Sequence, residues 1–143
     1  MAQEKILLVD DEAEFTSVLA ERMEARGLQV DIAHSGEEAL DKVREKTYDA
    51  IILDMLMPGM DGIETLKELR KINPDLQIIL LTGYATVEKS VEAVKLGAMD
   101  FMEKPADFKK LLEKITEAFN RKMFLVEQRS EEEIQKILKQ KGW

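Results

Sequence analysis

The chain has 143 residues, 45% of them apolar and 35% charged, and a formal net charge of −8; one domain is expected, and nonspecific binding to nucleic acid or to an anionic membrane is not. It has no cysteine and a single histidine, His34, which removes disulfides and thiolate chemistry and argues against a histidine-rich metal site or a Ser-His-Asp triad. No apolar run nears a membrane-spanning length, and "MAQEKILLVDDE" meets acids too early for a signal peptide, so a cytoplasmic location is expected.

Strand-like and helix-like segments alternate along the chain. "KILLV", Lys5 to Val9, is a short apolar run. From about Glu12 to Arg26, Phe15, Val18, Leu19 and Met23 recur at helical spacing, and Gly27 comes next as a stop. "LQVDIAH" reads as a second strand. Ser35 and Glu38 form a capping-box pattern opening a second helix toward Val43. Ala50 to Leu53 is the third strand. Asp61 and Glu64 start a helix through Leu66, Leu69 and Ile72, which Asn73-Pro74 ends. "LQIILL" is the fourth strand. A helix from about Val87 to Leu96 carries Val87, Val91 and Val94. "AMDFME" is the fifth strand, and Asp107 caps a long helix with Phe108, Leu111, Leu112, Ile115 and Phe119 on one face.

Such a series predicts an α/β fold with a mostly parallel sheet covered on both faces. Right-handed crossovers narrow it to a doubly wound sheet. In that fold the site lies at the carboxyl ends of the strands, near the switch in strand order. Asp10, Asp11 and Glu12 come after the first strand, Asp54 after the third, Thr82 and Gly83 after the fourth, and Lys104 and Pro105 after the fifth. Singly, each has an ordinary explanation: an aspartate or threonine after a strand often caps a helix or forms a turn, and a lysine is often a solvated charge. Together they are informative. Crowded carboxylates repel, so one must protonate or a cation must bind. Oxygen ligands suit a hard cation, and few protein ligands suit magnesium. A hydroxyl and an ammonium supply what an incoming phosphoryl group needs.

The set "LLVDDE", "IILDMLMPGMDG", "LTGYA" and "MEKP", in this order and spacing, closely resembles the receiver domain of two-component response regulators. The resemblance covers roughly residues 4–122. It implies a five-stranded flavodoxin-like sheet of order 2-1-3-4-5. It implies that Asp54 is the phospho-acceptor, that Asp10, Asp11, Asp54 and the Leu56 backbone carbonyl hold Mg2+, that Thr82 hydrogen-bonds the phosphoryl group and that Lys104 forms its salt bridge. Thr82 and Phe101 stand at switch positions; Phe101 has no phenol hydroxyl, so any switch there works by packing, and a plain core role is the alternative. The Lys104-Pro105 bond resembles the family's cis peptide. Leu56 and Tyr84 flank the phosphoryl group in the family. Neither can orient water, and slow self-dephosphorylation is expected.

The implied donor is a phosphohistidine on a sensor histidine kinase or phosphotransfer protein; nothing in the sequence makes His34 the donor. The implied output is a population shift at the face made by the fourth helix, fifth strand and fifth helix, controlling a partner or homodimerisation. Taking a 1:99 equilibrium to 99:1 needs about 5.5 kcal/mol, and hydrogen bonds to charged groups give roughly 1.5–3 kcal/mol each. Two new contacts, from Thr82 and Lys104, could therefore be just sufficient, near the top of that range.

The receiver is expected over residues 1–122 and a helical extension over 123–143, with no separate output domain and no direct nucleic-acid contact. Ser130 and Glu133 form another capping box, opening a short helix with Ile134, Ile137 and Leu138 on one face. Two readings of the extension stay open: a tail folded on its own domain, or a dimer seam or partner-binding helix. "GYATVEKSVEAVKLGAMDF" is similar to receivers attached to enhancer-binding transcription activators, so a stand-alone regulator and a piece of a longer protein are both open. Two rivals fit less well. A haloacid-dehalogenase-type phosphatase wants a second acid two residues after its aspartate, where this chain has Leu56. A flavin-binding module wants a Ser/Thr/Gly-rich loop after the first strand, where this chain has "DDEAE".

Overall fold

A computed structural model describes residues 4–57, 59–83, 87–104 and 107–140. Its elements run β1 (Lys5–Val9), α1 (Ala13–Glu24), β2 (Gln29–Ala33), α2 (Gly36–Glu45), β3 (Ala50–Leu53), α3 (Gly62–Ile72), β4 (Ile78–Thr82), α4 (Val87–Lys95), β5 (Asp100–Glu103) and α5 (Phe108–Gln140). The five strands form one sheet of order β2-β1-β3-β4-β5, and every pairing is parallel.

The side-chain alternation of a strand divides the core in two. Leu7, Val9, Ile51, Leu53, Ile78 and Leu80 face a core completed by Ala39, Leu40 and Val43 of α2, Leu66 and Leu69 of α3, and Ala93 of α4. Ile6, Leu8, Ala50, Ile52, Ile79 and Leu81 face the other, completed by Leu19, Ala20 and Met23 of α1 and Leu111, Ile115 and Ala118 of α5. Strands β3 and β4 are buried at every residue, as strands covered on both faces must be. Edge strands β2 and β5 are only partly buried.

Three predicted caps form. Ser35 Oγ accepts from Glu38 N–H at 3.1 Å, Asp61 Oδ1 from Glu64 N–H at 2.9 Å, and Asp107 Oδ1 from Lys110 N–H at 3.3 Å. At the first of these, Glu38 reaches past Ser35 and accepts from His34 N–H at 3.0 Å.

Three expectations need correction, two from helical spacing and one from a capping pattern. Val18 is exposed, and Thr16 takes the buried place on α1 beside Leu19, Ala20 and Met23. Val91 and Val94 of α4 are exposed as well, while Ala93 is buried. Spacing marks an apolar face; it does not say that a neighbour covers it. The capping box at Ser130 opens no new helix, because α5 is continuous from Phe108 to Gln140, about 50 Å at 1.5 Å per residue. Glu, Gln, Lys and Arg around Ser130 favour helix, and two ion pairs pin α5 to the body: Lys122 to Asp49 at 2.9 Å and Arg129 to Asp75 at 2.5 Å. Among the described residues, no helix is long and apolar enough to cross a membrane.

Candidate functional site

The strand order reverses between β1 and its two neighbours: β2 lies on one side, β3 on the other. Backbone bonds carry the ladder past the strand ends and fix the first residues beyond them. Asp10 N–H donates to Ala33 O at 3.0 Å, Asp54 N–H to Val9 O at 2.9 Å, and Lys104 N–H to Thr82 O at 2.8 Å. Asp10, Asp54 and Lys104, dispersed in sequence, thereby meet at one edge of the sheet.

Lys104 Nζ is 2.5 Å from Asp10 Oδ2, 3.2 Å from Glu12 Oε1 and 3.6 Å from Asp54 Oδ2. The Asp10 and Asp54 side chains are 2% and 4% exposed. Asp54 Oδ1 accepts from Leu56 N–H at 3.2 Å, and the Thr82 hydroxyl hydrogen-bonds the same carboxylate. Burial first, and the Asp10 charge second, push the Asp54 carboxyl above its ordinary range, against the pull of Leu56 N–H, Lys104 and Thr82. Burial alone would lower the Lys104 ammonium; its bonds and charge contacts with Asp10, Asp54 and Glu12 outweigh that and hold it raised. Among the described residues, the site is therefore an acidic cluster around the Lys104 ammonium.

Carboxylate oxygens of Asp10, Glu12 and Asp54 all lie within 4.8 Å of one another. An all-oxygen donor set of this kind fits a hard divalent cation.

The model for the response regulator receiver domain matches residues 6–116. The chain belongs to that family. The receiver is 43% identical over 116 residues to the transcriptional regulatory protein ZraR of Klebsiella oxytoca, covering 81% of this chain and 26% of that protein. It thus spans about a quarter of the length of that relative. Among solved structures it is similar to a CheY-like receiver domain from Methanospirillum hungatei, with a TM-score of 0.81, 32% identity, and coverage of 85% of this chain and 98% of that one. It is also similar to the response regulator TrrA of Thermotoga maritima, solved in complex with Mg2+-BeF, with a TM-score of 0.74 and 37% identity, covering 81% of this chain and 99% of that one.

Of the residues that the sequence suggests for the site, Asp10, Asp54, Thr82 and Lys104 come together in the receiver. Asp11 is exposed, and the third converging carboxylate belongs to Glu12. The turn after β1 explains this: Glu12 N–H donates to Asp10 Oδ1 at 2.9 Å, and Glu12 leads into α1, so its side chain reaches Lys104. Leu56 is 57% exposed, and only its backbone N–H engages Asp54. Phe101 on β5 is partly buried against the α2–α3–α4 core. His34 is exposed, with Nδ1 3.2 Å from Asp10 O. Tyr84 and the Lys104-Pro105 bond lie outside the described residues.

Two contributors do not stand out in the sequence. Glu12 is visible there only as one more acid after the first strand. Phe15, an ordinary apolar residue of α1 by its spacing, has its ring centroid 4.2 Å from Lys104 Nζ; no local signal links two residues so far apart in the chain.

Proposed function

We propose that this receiver is a phosphorylation-activated switch that takes a phosphoryl group onto Asp54 from the phosphohistidine of a sensor histidine kinase or phosphotransfer protein in the cytoplasm. The observation that carries the reading is the Asp54 carboxylate itself: 4% exposed, at the end of a buried strand, and 3.6 Å from the Lys104 ammonium. A carboxylate oxygen forms the new O–P bond as the N–P bond of the donor breaks, and the electron pair leaves with the imidazole nitrogen. The donor is already activated, so the protein supplies positioning and charge neutralisation. Lys104 and the Thr82 hydroxyl are the groups for that charge.

Asp10, Asp11, Asp54 and the Leu56 carbonyl are the proposed Mg2+ holders, with Glu12 added by its place among the converging carboxylates. Bound Mg2+ supplies positive charge against the repulsion between phosphate and the acidic cluster; its presence in the TrrA structure supports the assignment.

The output face is proposed at α4, β5 and α5, where Val91 and Val94 are exposed, with Thr82 and Phe101 as the switch. It would control a partner or a homodimer, the latter also through the helical extension at 123–143 beyond the receiver unit at 1–122. Leu56 and Tyr84 carry no carboxylate or amide to orient water, so the phosphoprotein is expected to be long-lived. Decay within seconds in magnesium buffer would contradict that.

The test is Mg2+-dependent labelling with acetyl phosphate, with mass spectrometry to locate the label. An adduct on Asp54 that disappears in Asp54→Ala is expected. No adduct on the unaltered chain, or the same adduct in the variant, overturns the proposal.

A further inference from the structure

Lys104 is held by two kinds of contact that behave differently when the site is used. Asp10, Glu12 and Asp54 hold its ammonium by charge, at 2.5, 3.2 and 3.6 Å. These are also the carboxylates that converge closely enough to hold a cation. A divalent cation and the Lys104 ammonium therefore compete for the same oxygens. An incoming phosphoryl group at Asp54 removes one of them from its present role.

Among the described residues, the Phe15 ring is a contact outside that competition. Its centroid lies 4.2 Å from Lys104 Nζ, inside the range in which the negative face of a ring attracts a cation. A neutral ring offers a hard cation no oxygen ligand and adds no negative charge to repel phosphate. It is also well placed to stay still. Phe15 lies in the first turn of α1 and packs against the core that α1 shares with α5. The Lys104 stem is flexible and strongly entropic when free. An apolar side chain of similar bulk would fill the space without holding the ammonium.

We propose that Phe15 is a positioning residue for phosphoryl transfer: its ring keeps the Lys104 ammonium beside Asp54 while the carboxylates are engaged elsewhere. This rests on the reading of Asp54 as phospho-acceptor and Lys104 as its charge partner. The ring comes from α1, outside the strand-end residues that make up the rest of the site.

The decisive experiment replaces Phe15 site-specifically with mono-, di- and trifluorophenylalanine, which weakens the ring's negative face at nearly constant volume. Phe15→Leu and Phe15→Trp are made alongside. The first readout is the rate of Asp54 labelling by acetyl phosphate at saturating Mg2+. The rate should fall stepwise with fluorination, drop roughly 3- to 10-fold in Phe15→Leu, and stay near the unaltered rate in Phe15→Trp. The second readout needs neither metal nor donor. The Lys104 ε-methylene protons should show an upfield ring-current shift by NMR that persists in Phe15→Trp and vanishes in Phe15→Leu.

A flat fluorination series overturns the proposal, even if Phe15→Leu is slow, because it marks packing alone. An absent ring-current shift overturns it too. Should Phe15→Leu fail to fold, the fluorinated series still decides. Loss of Asp54 labelling in the unaltered chain sinks the underlying acceptor reading instead, so the two failures are distinguishable.

Discussion

Gly62, the first residue of α3, meets the acceptor strand more closely than any side chain could. A Cβ placed there would lie 2.4 Å from Met55 Cα and 2.5 Å from Asp54 O, roughly 1 Å or more inside the 3.5–4.0 Å optimum for carbon contacts. Both are backbone atoms, so no rotamer change relieves the clash. Gly62 N–H also donates to Met55 O at 2.9 Å, tying α3 to the segment after Asp54. Gly62→Ala sets two effects against each other. Reduced freedom of the unfolded chain favours alanine by about 0.4–1 kcal/mol. Overpacking costs about 1–3 kcal/mol, and a backbone clash belongs at the upper end. The clash wins by about 2 kcal/mol, which for a chain of this size lowers the melting temperature by roughly 4–8 °C. The functional loss should be larger than the stability loss suggests. Relief of the clash moves the backbone that carries Asp54, and a misplacement of about 1 Å can cost up to 100-fold in rate. Thermal melts by circular dichroism in EDTA and the initial rate of acetyl phosphate labelling measure the two. Gly83→Ala is the control for stability, since nothing among the described residues lies within 4 Å of a Cβ placed there; its melt should barely move. A Gly62→Ala protein that melts with the unaltered chain and labels at its rate would refute the reasoning.

Lys104→Met removes the ammonium between two buried carboxylates, Asp10 and Asp54. In EDTA it should lose about 3 kcal/mol of stability, and Mg2+ at about 100 times its dissociation constant should restore about 2.7 kcal/mol. Thermal shift with and without Mg2+ measures this, and a loss that Mg2+ leaves untouched would show that the carboxylates do not form a cation site. At the opposite end of the sheet, the Tyr48 hydroxyl donates to Asp31 Oδ2 at 2.6 Å. That bond is the main reason the Asp31 carboxyl lies below its ordinary value of 3.8. A depressed carboxyl contributes stability above its unfolded value and loses it as pH falls through the folded one. Burial first, then Asp31, push the Tyr48 phenol up; its contribution holds below about pH 10 and is lost as pH rises through the raised value. Tyr48→Phe should therefore cost about 1 kcal/mol at pH 7, discounted because Asp31 is about a third exposed. The cost should shrink toward pH 3. Urea melts at both pH values test it, and an equal gap at the two would count against the linkage.

Local chemistry determined a good deal of this protein without tertiary help. The unbroken apolar runs of β1, β3 and β4 imply strands covered on both faces, and their ends point to Asp10, Asp54 and Thr82. Ser35, Asp61 and Asp107 cap helices because a short oxygen-bearing side chain beside free N–H groups needs no distant partner. What only the tertiary structure decided is everything that depends on a neighbour. Val18, Val91 and Val94 keep helical spacing yet stay exposed, since the spacing of apolar residues on a helix does not specify what packs against them. Ser130 and Glu133 match a cap within a helix that Lys122 and Arg129 dock onto Asp49 and Asp75. Glu12 joins Asp10 and Asp54 because the turn after β1 ties its N–H to Asp10 Oδ1 at the start of α1, a placement that the acids of "DDE" do not reveal by themselves. Phe15 reaches Lys104 only because the fold brings the residue after β5 to the start of α1. Sequence periodicity reports on atoms a few bonds or one helical turn apart; an ammonium and a ring brought together across the fold leave no trace in it.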